Sequence, residues 1–550
     1  MLLQRLAAVT TLGAADSLSV RLVSLRRDAA RLLVWLATVA YAVVLSLASI
    51  DRHERFETGG YDLGIFDQGI WLLGQGFRPF STIRGRDLFA DHFQPALVLL
   101  APLGALGVTP TALLILQSVL LAAVAPPLYA LARRRGAAPP LALAVALLWL
   151  ASPLTQWANL FDFHPETAVP VLLALAALQL DRGRLGHFVG LGVAASLFKE
   201  DVSLVFLGWG VLLALQGRRR LGLALAAGAT LWFALATQVM IPAFGGNLDY
   251  YSARFGGDRG SSLGAVFRSF LDHPLRTISD VSTPANAKVL MVLVLASGGL
   301  ALLAPGLLLP ALPTVSANLL SAYSYQHELQ FHYHLIPAAF FAVASAHGAG
   351  VLQRRRGRLA HVAPTAPALL TSATLALAAL GPASQELRSV AGPNQDVRER
   401  ALALIPPDAP TAAAPLLVPH LAHRRDIYQL PEPFFSRPTN GESWTERQLR
   451  RRAQKVEWVV YELAGLDPWP RSQVQALPQM LHWRGFIEIF HDKGVRVFCS
   501  PNRISTSARS AQHIRPVCTA VRCALALSAG ATIRRRLESF TRGSPTMRDA

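Results

Sequence analysis

Carboxylates, imidazoles and one lysine gather in five short polar stretches of an otherwise apolar chain. The first, residues 60–94 (GYDLGIFDQGIWLLGQGFRPFSTIRGRDLFADHFQ), carries Asp62, Asp67, Asp87 and Asp91. A carboxylate held beside a hydroxyl can act as a general base, and Asp62 and Asp67 are the catalytic candidates. Read as a helix at about 100° per residue, the two stand roughly 140° apart, so only one can face a given centre. Ile65, Gly69, Ile70, Leu72, Leu73 and Gly76 give the segment an apolar side, which predicts a helix lying along a membrane surface.

Asp91–His92–Phe93 ends the same loop. In NLFDFHPE (159–166), Asp162, His164 and Glu166 alternate. An extended chain would place all three on one face, a set suited to a divalent metal ion or to a phosphate-binding water network. The plainer reading is a loop leading into a helix at Pro165. Lys199–Glu200–Asp201 sits between two apolar segments and uses one of only four lysines in the chain (Lys199, Lys288, Lys455, Lys493). It reads as a phosphate contact or as a self-paired turn. The last stretch, SYSYQHELQFHYH, holds His327, Glu328, His332 and His334, either as ligands or as interfacial anchors with Tyr323 and Tyr325. Asp91, His92, Lys199, Glu200, His332 and His334 are the substrate- or phosphate-binding candidates. Asp91–His92 has a structural alternative as the cap of a helix over 95–107.

These groups need elements to hold them, and the composition says which. The chain has 550 residues, 52% of them hydrophobic and 16% charged, with mean hydropathy +0.35. The apolar residues come in blocks of membrane-spanning length, which predicts an α-helical polytopic membrane protein. Spans are expected over 31–50, 109–131, 140–153, 166–181, 186–198, 202–216, 220–242, 287–304, 306–320, 335–351 and 361–380, about eleven in all. Residues 95–107 read as an interfacial or re-entrant piece. The net charge of +18 comes from arginines beside these blocks, which argues for positive-inside anchoring and against nucleic-acid binding. Basic clusters at 26–31, Arg133–Arg135, Arg182 and Arg184, Arg218–Arg220 and Arg354–Arg358 all fall on one side of that map. The predicted topology is therefore a multi-pass protein of the cell membrane, with a cytoplasmic leader (1–30) and a membrane domain (31–380). All five polar stretches, including the external loop 51–108, lie on the opposite side. Charged groups beside hydrocarbon persist when paired or used, so these stretches are functional candidates.

Residues 394–500 change character and predict a small extracytoplasmic α/β domain. Asn394 is placed to cap a helix with Val397, Ala401, Leu402 and Ile405 on one face. Residues 415–419, 456–463, 486–490 and 495–499 read as strands, with a hairpin turn at Asp492–Lys493–Gly494. The arginine-rich stretch 501–550 reads either as a disordered tail or as translation in a shifted frame. Cys499, Cys518 and Cys523 support neither a disulfide framework nor a cysteine metal site.

YDLGIFDQGIW, Asp91–His92–Phe93 with Gln94–Pro95, FDFHPE, Lys199–Glu200–Asp201 and the YHLIPA segment together resemble the membrane proteins of domain-of-unknown-function family 2079. So do IPPDAP (405–410), LVPHLAHRRDIYQLP (417–431) and VEWVVYEL, so the resemblance covers roughly residues 30–500. That family is similar in layout to the GT-C glycosyltransferases, which carry an acidic residue early in the first external loop and transfer sugars from polyprenyl-phosphate carriers. The resemblance implies that Asp62 is the base, that Asp67 is a second candidate, and that the partners are membrane lipid and a polyprenyl-phosphate-linked sugar. The cofactor expected from the residues themselves is a divalent metal ion at Asp162, His164 and Glu166. A transporter or flippase of a lipid-linked or polar substrate, or a non-catalytic membrane scaffold, would use the same charges differently.

Overall fold

The computed structural model describes residues 2–247, 253–260, 262–355, 370, 381–389, 392, 394–435, 444–466 and 470–500. The expected span at 361–380 and the tail 501–550 lie outside them, save Leu370. The chain divides into two compact units, one of Met1–Thr58 with Ile65–Ala391, the other of Gly59–Gly64 with Gly392–Ala550.

The first unit is helical. Its opening helix, Leu2–Glu54, shows why the sequence selects a membrane setting. Val34, Tyr41, Leu45 and Ala48 are buried against neighbours, while Leu32, Leu36, Val39, Val43 and Leu47 face outward. Both faces are apolar, as a helix packed on protein on one side and lipid on the other requires. Arg27–Glu54, Thr111–Arg134, Pro139–Leu160, Arg219–Ala243 and His332–Arg354 are each long and apolar enough to cross a membrane. Pro284–Ala296 is shorter and reaches span length only if it is joined, across a bend of 63°, to Pro274–Val281. The other expected spans within the described residues are shorter helices, such as Val169–Asp181 and Leu185–Ser196.

Two contacts at glycines set how closely helices approach. A Cβ on Gly210 would stand 2.5 Å from the Gly222 carbonyl oxygen, so Ser203–Leu215 and Arg219–Leu235 meet backbone to backbone. Likewise a Cβ on Gly104 would lie 2.2 Å from the Ile70 carbonyl oxygen. The helix Ile65–Gly74 therefore packs its apolar residues into protein, with Ile65, Ile70 and Leu72 buried, and does not turn them toward a membrane surface. Residues 95–107 fold as a 3₁₀ turn, Pro95–Leu100, and a short helix, Ala101–Leu106, ended by Gly107 in the left-handed region.

The second unit holds a five-stranded sheet. Its strands are β3 (Thr411–Ala413), β4 (Ile427–Gln429), β5 (Trp458–Glu462), β6 (Ile487–Asp492) and β7 (Val495–Cys499), counted after a two-strand ribbon in the first unit, β1 (Phe80–Ser81) and β2 (Arg86–Asp87). The sheet order is β4-β3-β5-β7-β6, with β3 parallel to both neighbours and β5, β7 and β6 antiparallel. The β6–β7 turn places Lys493 at φ 45° and Gly494 at φ 85°, as a two-residue hairpin demands. Residues 415–419 are not a strand, because Pro415 and Pro419 cannot donate to a ladder. Instead Val418–Leu421 is a 3₁₀ turn. Asn394 is the N-cap residue of Gln395–Ala403, but its side chain makes no cap bond to that helix. Its Nδ2 donates to Glu462 (2.6 Å) and to the Lys493 carbonyl (3.3 Å).

Candidate functional site

The polar stretches of the helical unit are joined by a chain of buried side-chain bonds. Gln68, on Ile65–Gly74, accepts from Ser81 Oγ (3.0 Å) and Thr82 N (3.0 Å) and donates to Thr82 Oγ1 (2.9 Å), which sets the β1–β2 ribbon on its helix. Asp87 accepts from Phe89 N (3.0 Å) and Arg78 Nε (2.6 Å), capping the short helix Leu88–Asp91. Arg84 Nε donates to Asp91 at 3.1 Å, and Arg86 Nη1 at 3.3 Å. Burial works hardest against the Asp91 charge, yet Arg84, with His92 and Arg86, holds this carboxyl well below the usual carboxylate range.

Glu200 is fully buried and receives two bonds from the end of the same loop, His92 Nδ1 at 2.8 Å and Phe93 N at 2.9 Å. Burial pulls the His92 pKa down, but Glu200, helped by Asp91, outweighs burial and Lys199 and leaves it raised. Asp91, His92 and Glu200 thus brace the first loop against the start of Ser203–Leu215. Asp91 makes no cap for the 3₁₀ turn at Pro95, whose cap residue is Gln94.

The adjacent residues turn the other way. Glu200–Val202 is a 3₁₀ turn, in which successive side chains diverge by about 120°. Asp201 within the turn, and Lys199 in extended backbone before it, leave Glu200 and line a cavity of about 50 Å³ with Glu166, Arg254, Asn318, His332 and Tyr333. Lys199 Nζ stands 2.6 Å from Glu166 Oε1, and Arg254 Nη2 donates to Asn318 Oδ1 at 2.8 Å. Glu166 Oε2, Asp201 Oδ1, Arg254 Nε and His332 Nδ1 are buried without a hydrogen-bond partner. Natural proteins rarely leave so many such atoms in one place, so this cavity is the prime candidate for a polar ligand. Burial, reinforced by Glu200 and opposed by Lys199, raises the Asp201 pKa.

The stretch carrying Asp162, His164 and Glu166 is fixed by Gln117, whose Nε2 donates to the Ala158 and Asn159 carbonyls (3.1 and 3.0 Å) and whose Oε1 accepts from His164 N (3.0 Å). His164 is extended, but Pro165 starts a 3₁₀ turn and swings Glu166 off the shared face. His164 Nδ1 bonds the Asp162 carbonyl at 2.8 Å, and its ring stacks on His332 with centroids 3.6 Å apart. Among the described residues no three His, Cys, Asp or Glu side chains come together as a metal site. The expected metal set therefore does not form: Lys199 pairs with the Glu166 carboxylate, and the His164 Nδ1–H donates to the Asp162 backbone carbonyl.

His334 is buried one turn into His332–Arg354 and does not line the cavity. Asp67 is fully buried, with His53 as an electrostatic neighbour. Asp62 lies in a π-helical turn, Gly60–Gly64, that groups with the second unit. There Gly60 N donates to the Pro415 carbonyl at 3.0 Å, and a Cβ on Gly60 would stand 2.8 Å from Val418. The Asp62 side chain is partly exposed.

A second cavity, about 330 Å³ and almost wholly apolar, lies among Leu185–Ser196, Ser203–Leu215 and Arg219–Leu235. Its lining includes Ser196, Leu197 and Ser203, so it flanks the same turn whose Lys199 and Asp201 enter the polar cavity. Trp232 and Phe206 line its sides.

The polar cavity contains Lys199, Glu166 and His332 from the candidates named on sequence, and adds Arg254 and Asn318, which were not named, as Gln117 behind them was not. Gln117 carried a signal, as a polar side chain within an apolar helix. Arg254 carried a weaker one, as an arginine on the side of the map opposite the basic clusters.

No curated protein matches the chain. Two solved structures of ArnT from Cupriavidus metallidurans are similar to it, one bound to undecaprenyl phosphate and one in the apo state. The first is 14% identical, covers 86% of this chain and 98% of that one, and has a TM-score of 0.49. The second is 13% identical, covers 84% and 97%, and has a TM-score of 0.48. The family model described as "Predicted membrane protein (DUF2079)" matches residues 52–484, and the chain belongs to that family.

Proposed function

We propose that this membrane protein transfers a sugar from a polyprenyl-phosphate carrier at the outer face of the membrane. The observation that carries the reading is the pairing of cavities on one turn. A small polar cavity presents Lys199, Arg254 and His332, and a larger apolar one lies beside it, as a phosphate joined to a long hydrocarbon chain requires. Lys199 and Arg254 bind the phosphate and stabilise the charge that collects on it when the bond to the sugar breaks. Asn318 orients Arg254, and Glu166 fixes the Lys199 ammonium.

On the sequence resemblance, Asp62 is the base that takes the proton of the acceptor hydroxyl. Asp67 is too deeply buried to meet an acceptor, which leaves Asp62 as the accessible carboxylate of the two. The departing phosphate is stabilised as an anion and needs no proton, so one carboxylate suffices. The residues at 162–166 do not fit a divalent metal ion, and no step is assigned to one.

The test is incubation of the purified protein in nanodiscs with a panel of polyprenyl-phosphate sugars, following release of free carrier phosphate. Release is expected with at least one donor and is expected to fall about 10²–10⁴-fold in Asp62→Asn. Full activity in that variant would remove Asp62 from the mechanism. Movement of intact donor between leaflets without carrier release would favour a flippase.

A further inference from the structure

We propose that residues 262–281 form a helical hairpin that rests on the lipid bilayer and, from that seat, holds Arg254 in the polar cavity. The hairpin consists of Leu263–Asp272, whose N-cap Ser262 accepts from Ala265 N at 3.2 Å, and Pro274–Val281. Phe267 and Leu271, one turn apart on the first helix, are 66% and 65% exposed, and Leu275 and Ile278 on the second are 83% and 58% exposed. Four large apolar side chains in two short helices, with Arg268, Asp272 and Arg276 also exposed, make amphipathic faces that no described part of the chain covers.

The chain itself says what covers them. Two residues after Val281 it bends by 63° into Pro284–Ala296, an apolar helix whose outward Met291 and Leu295 belong to the lipid-facing surface of a membrane protein. The hairpin thus leaves the edge of that surface at a steep angle, where an in-plane helix meets the headgroup boundary. Arg268 suits anionic headgroups there, while Arg276 is paired with Asp258 at 2.5 Å.

The hairpin is tied to the cavity by two routes. Arg259 pairs with Asp280 on the second helix and lies 4.7 Å over the ring of Phe270 on the first. Phe270 in turn meets Phe255 edge-on at 5.7 Å, next to Arg254. The other route is Asn286, fully buried, whose Nδ2 donates to the carbonyls of Asp280 (3.3 Å), Val281 (3.1 Å) and Leu319 (2.9 Å). Leu319 follows Asn318, the residue that accepts from Arg254. The Arg254 carbonyl also accepts from Ala322 N at 2.7 Å. Lipid contact at the hairpin and guanidinium position in the cavity are therefore one structural event.

Two measurements on the full chain in nanodiscs test this. In a background that keeps the disulfide at Cys499 and replaces only the cysteine outside it, a fluorophore at Phe267→Cys or Leu275→Cys is expected to be quenched by lipids spin-labelled high on the acyl chain. The same probe at Asp272→Cys is expected to be quenched much less. No quenching at 267 and 275, or cross-linking of those cysteines between two copies, overturns the lipid seat. The second measurement rests on the phosphate-binding reading above, and the first does not, so their failures are separable. Leu275→Asp is expected to weaken binding of undecaprenyl phosphate about tenfold, as is Arg254→Gln, with thermal stability retained. Because both act through the same guanidinium, the double variant is expected to be no worse than the weaker single one. Unchanged binding in Leu275→Asp, or losses that multiply in the double variant, would refute the tie.

Discussion

The helical unit has two polar ends, and they are built on opposite terms. At one end Arg134 and Arg135 share Asp181, each at 2.6 Å, and Arg354 donates to the Arg135 carbonyl at 2.8 Å. At the other, Lys199 meets Glu166 at 2.6 Å. The distances match, but the surroundings do not. The side chains of Arg134 and Arg135 are 44% and 42% exposed and only their partner Asp181, at 9%, is buried, whereas Lys199 and Glu166 are both buried, at 10% and 6%. An exposed pair contributes about 0–1 kcal/mol, while breaking one side of a buried pair costs about 3–5 kcal/mol. The basic end can relax into water. The cavity end cannot, so its charges are best explained by something they bind.

The sharpest way to break that contrast is at Lys199. Lys199→Met leaves Glu166 buried without its cation, and is expected to lower stability by about 3–5 kcal/mol and to abolish phosphate binding. Adding Glu166→Gln removes the orphaned charge. The double variant should regain most of the melting temperature in detergent and none of the binding. If binding returned with stability, the pair would be a structural prop and the cavity would lose its claim to a ligand.

Asp201 gives the next effect. Its raised pKa, due first to burial and then to Glu200, favours the neutral acid, which can donate to a phosphate oxygen. As pH rises through that pKa the cavity gains a negative charge, so wild-type affinity for a polyprenyl phosphate should fall. In Asp201→Asn the same titration should be flat, with affinity near that of the wild type at low pH. Equal pH dependence in the two proteins would exclude Asp201 from the cavity's chemistry.

His92 tests the brace behind the cavity. Its folded pKa is raised, so the stability it contributes is fully present below its unfolded value of about 6.5 and is lost as pH rises through the folded pKa. His92→Gln should remove that pH-dependent part, about 1.5–3 kcal/mol for a hydrogen bond to a charged group, with the binding affinity of the folded protein nearly unchanged. Calorimetric scans across pH 5 to 9 would read it. A variant as stable as the wild type at low pH would mean that the imidazolium–Glu200 pair adds nothing.

These residues also show where sequence reading succeeds and where it stops. Long apolar helices are legible because lipid and protein both select apolar faces, as in Arg27–Glu54. The β6–β7 hairpin is legible because Lys493–Gly494 must adopt positive φ. Lys199 and Glu166 stand out as charges beside hydrocarbon. What sequence could not supply is phase and long-range pairing. A single 3₁₀ turn puts Asp201 in the cavity and Glu200 behind it, and nothing in Lys-Glu-Asp announces that turn. Arg254 and Asn318 are 64 residues apart and meet only through the fold. Similarly, Asp62 and Asp67 look like one motif, yet the contacts of Gly59–Gly64 belong to the sheet-bearing unit. The strand Thr411–Ala413 was hidden because Thr-Ala-Ala has no apolar alternation to read.

The smallest effect is expected at the basic end, and its smallness decides the comparison. Arg134→Gln removes one of two guanidiniums on Asp181, and Arg135 remains at 2.6 Å to keep that carboxylate paired. Water reaches the vacated side, so the change in stability should stay within about 1 kcal/mol, and binding at the other end should not move. Asp181→Asn should cost slightly more, because it deprives both arginines at once and leaves two like charges adjacent. A loss of binding in Arg134→Gln would show that the two ends are coupled through the bundle. The buried charges could then no longer be assigned to the cavity's ligand alone.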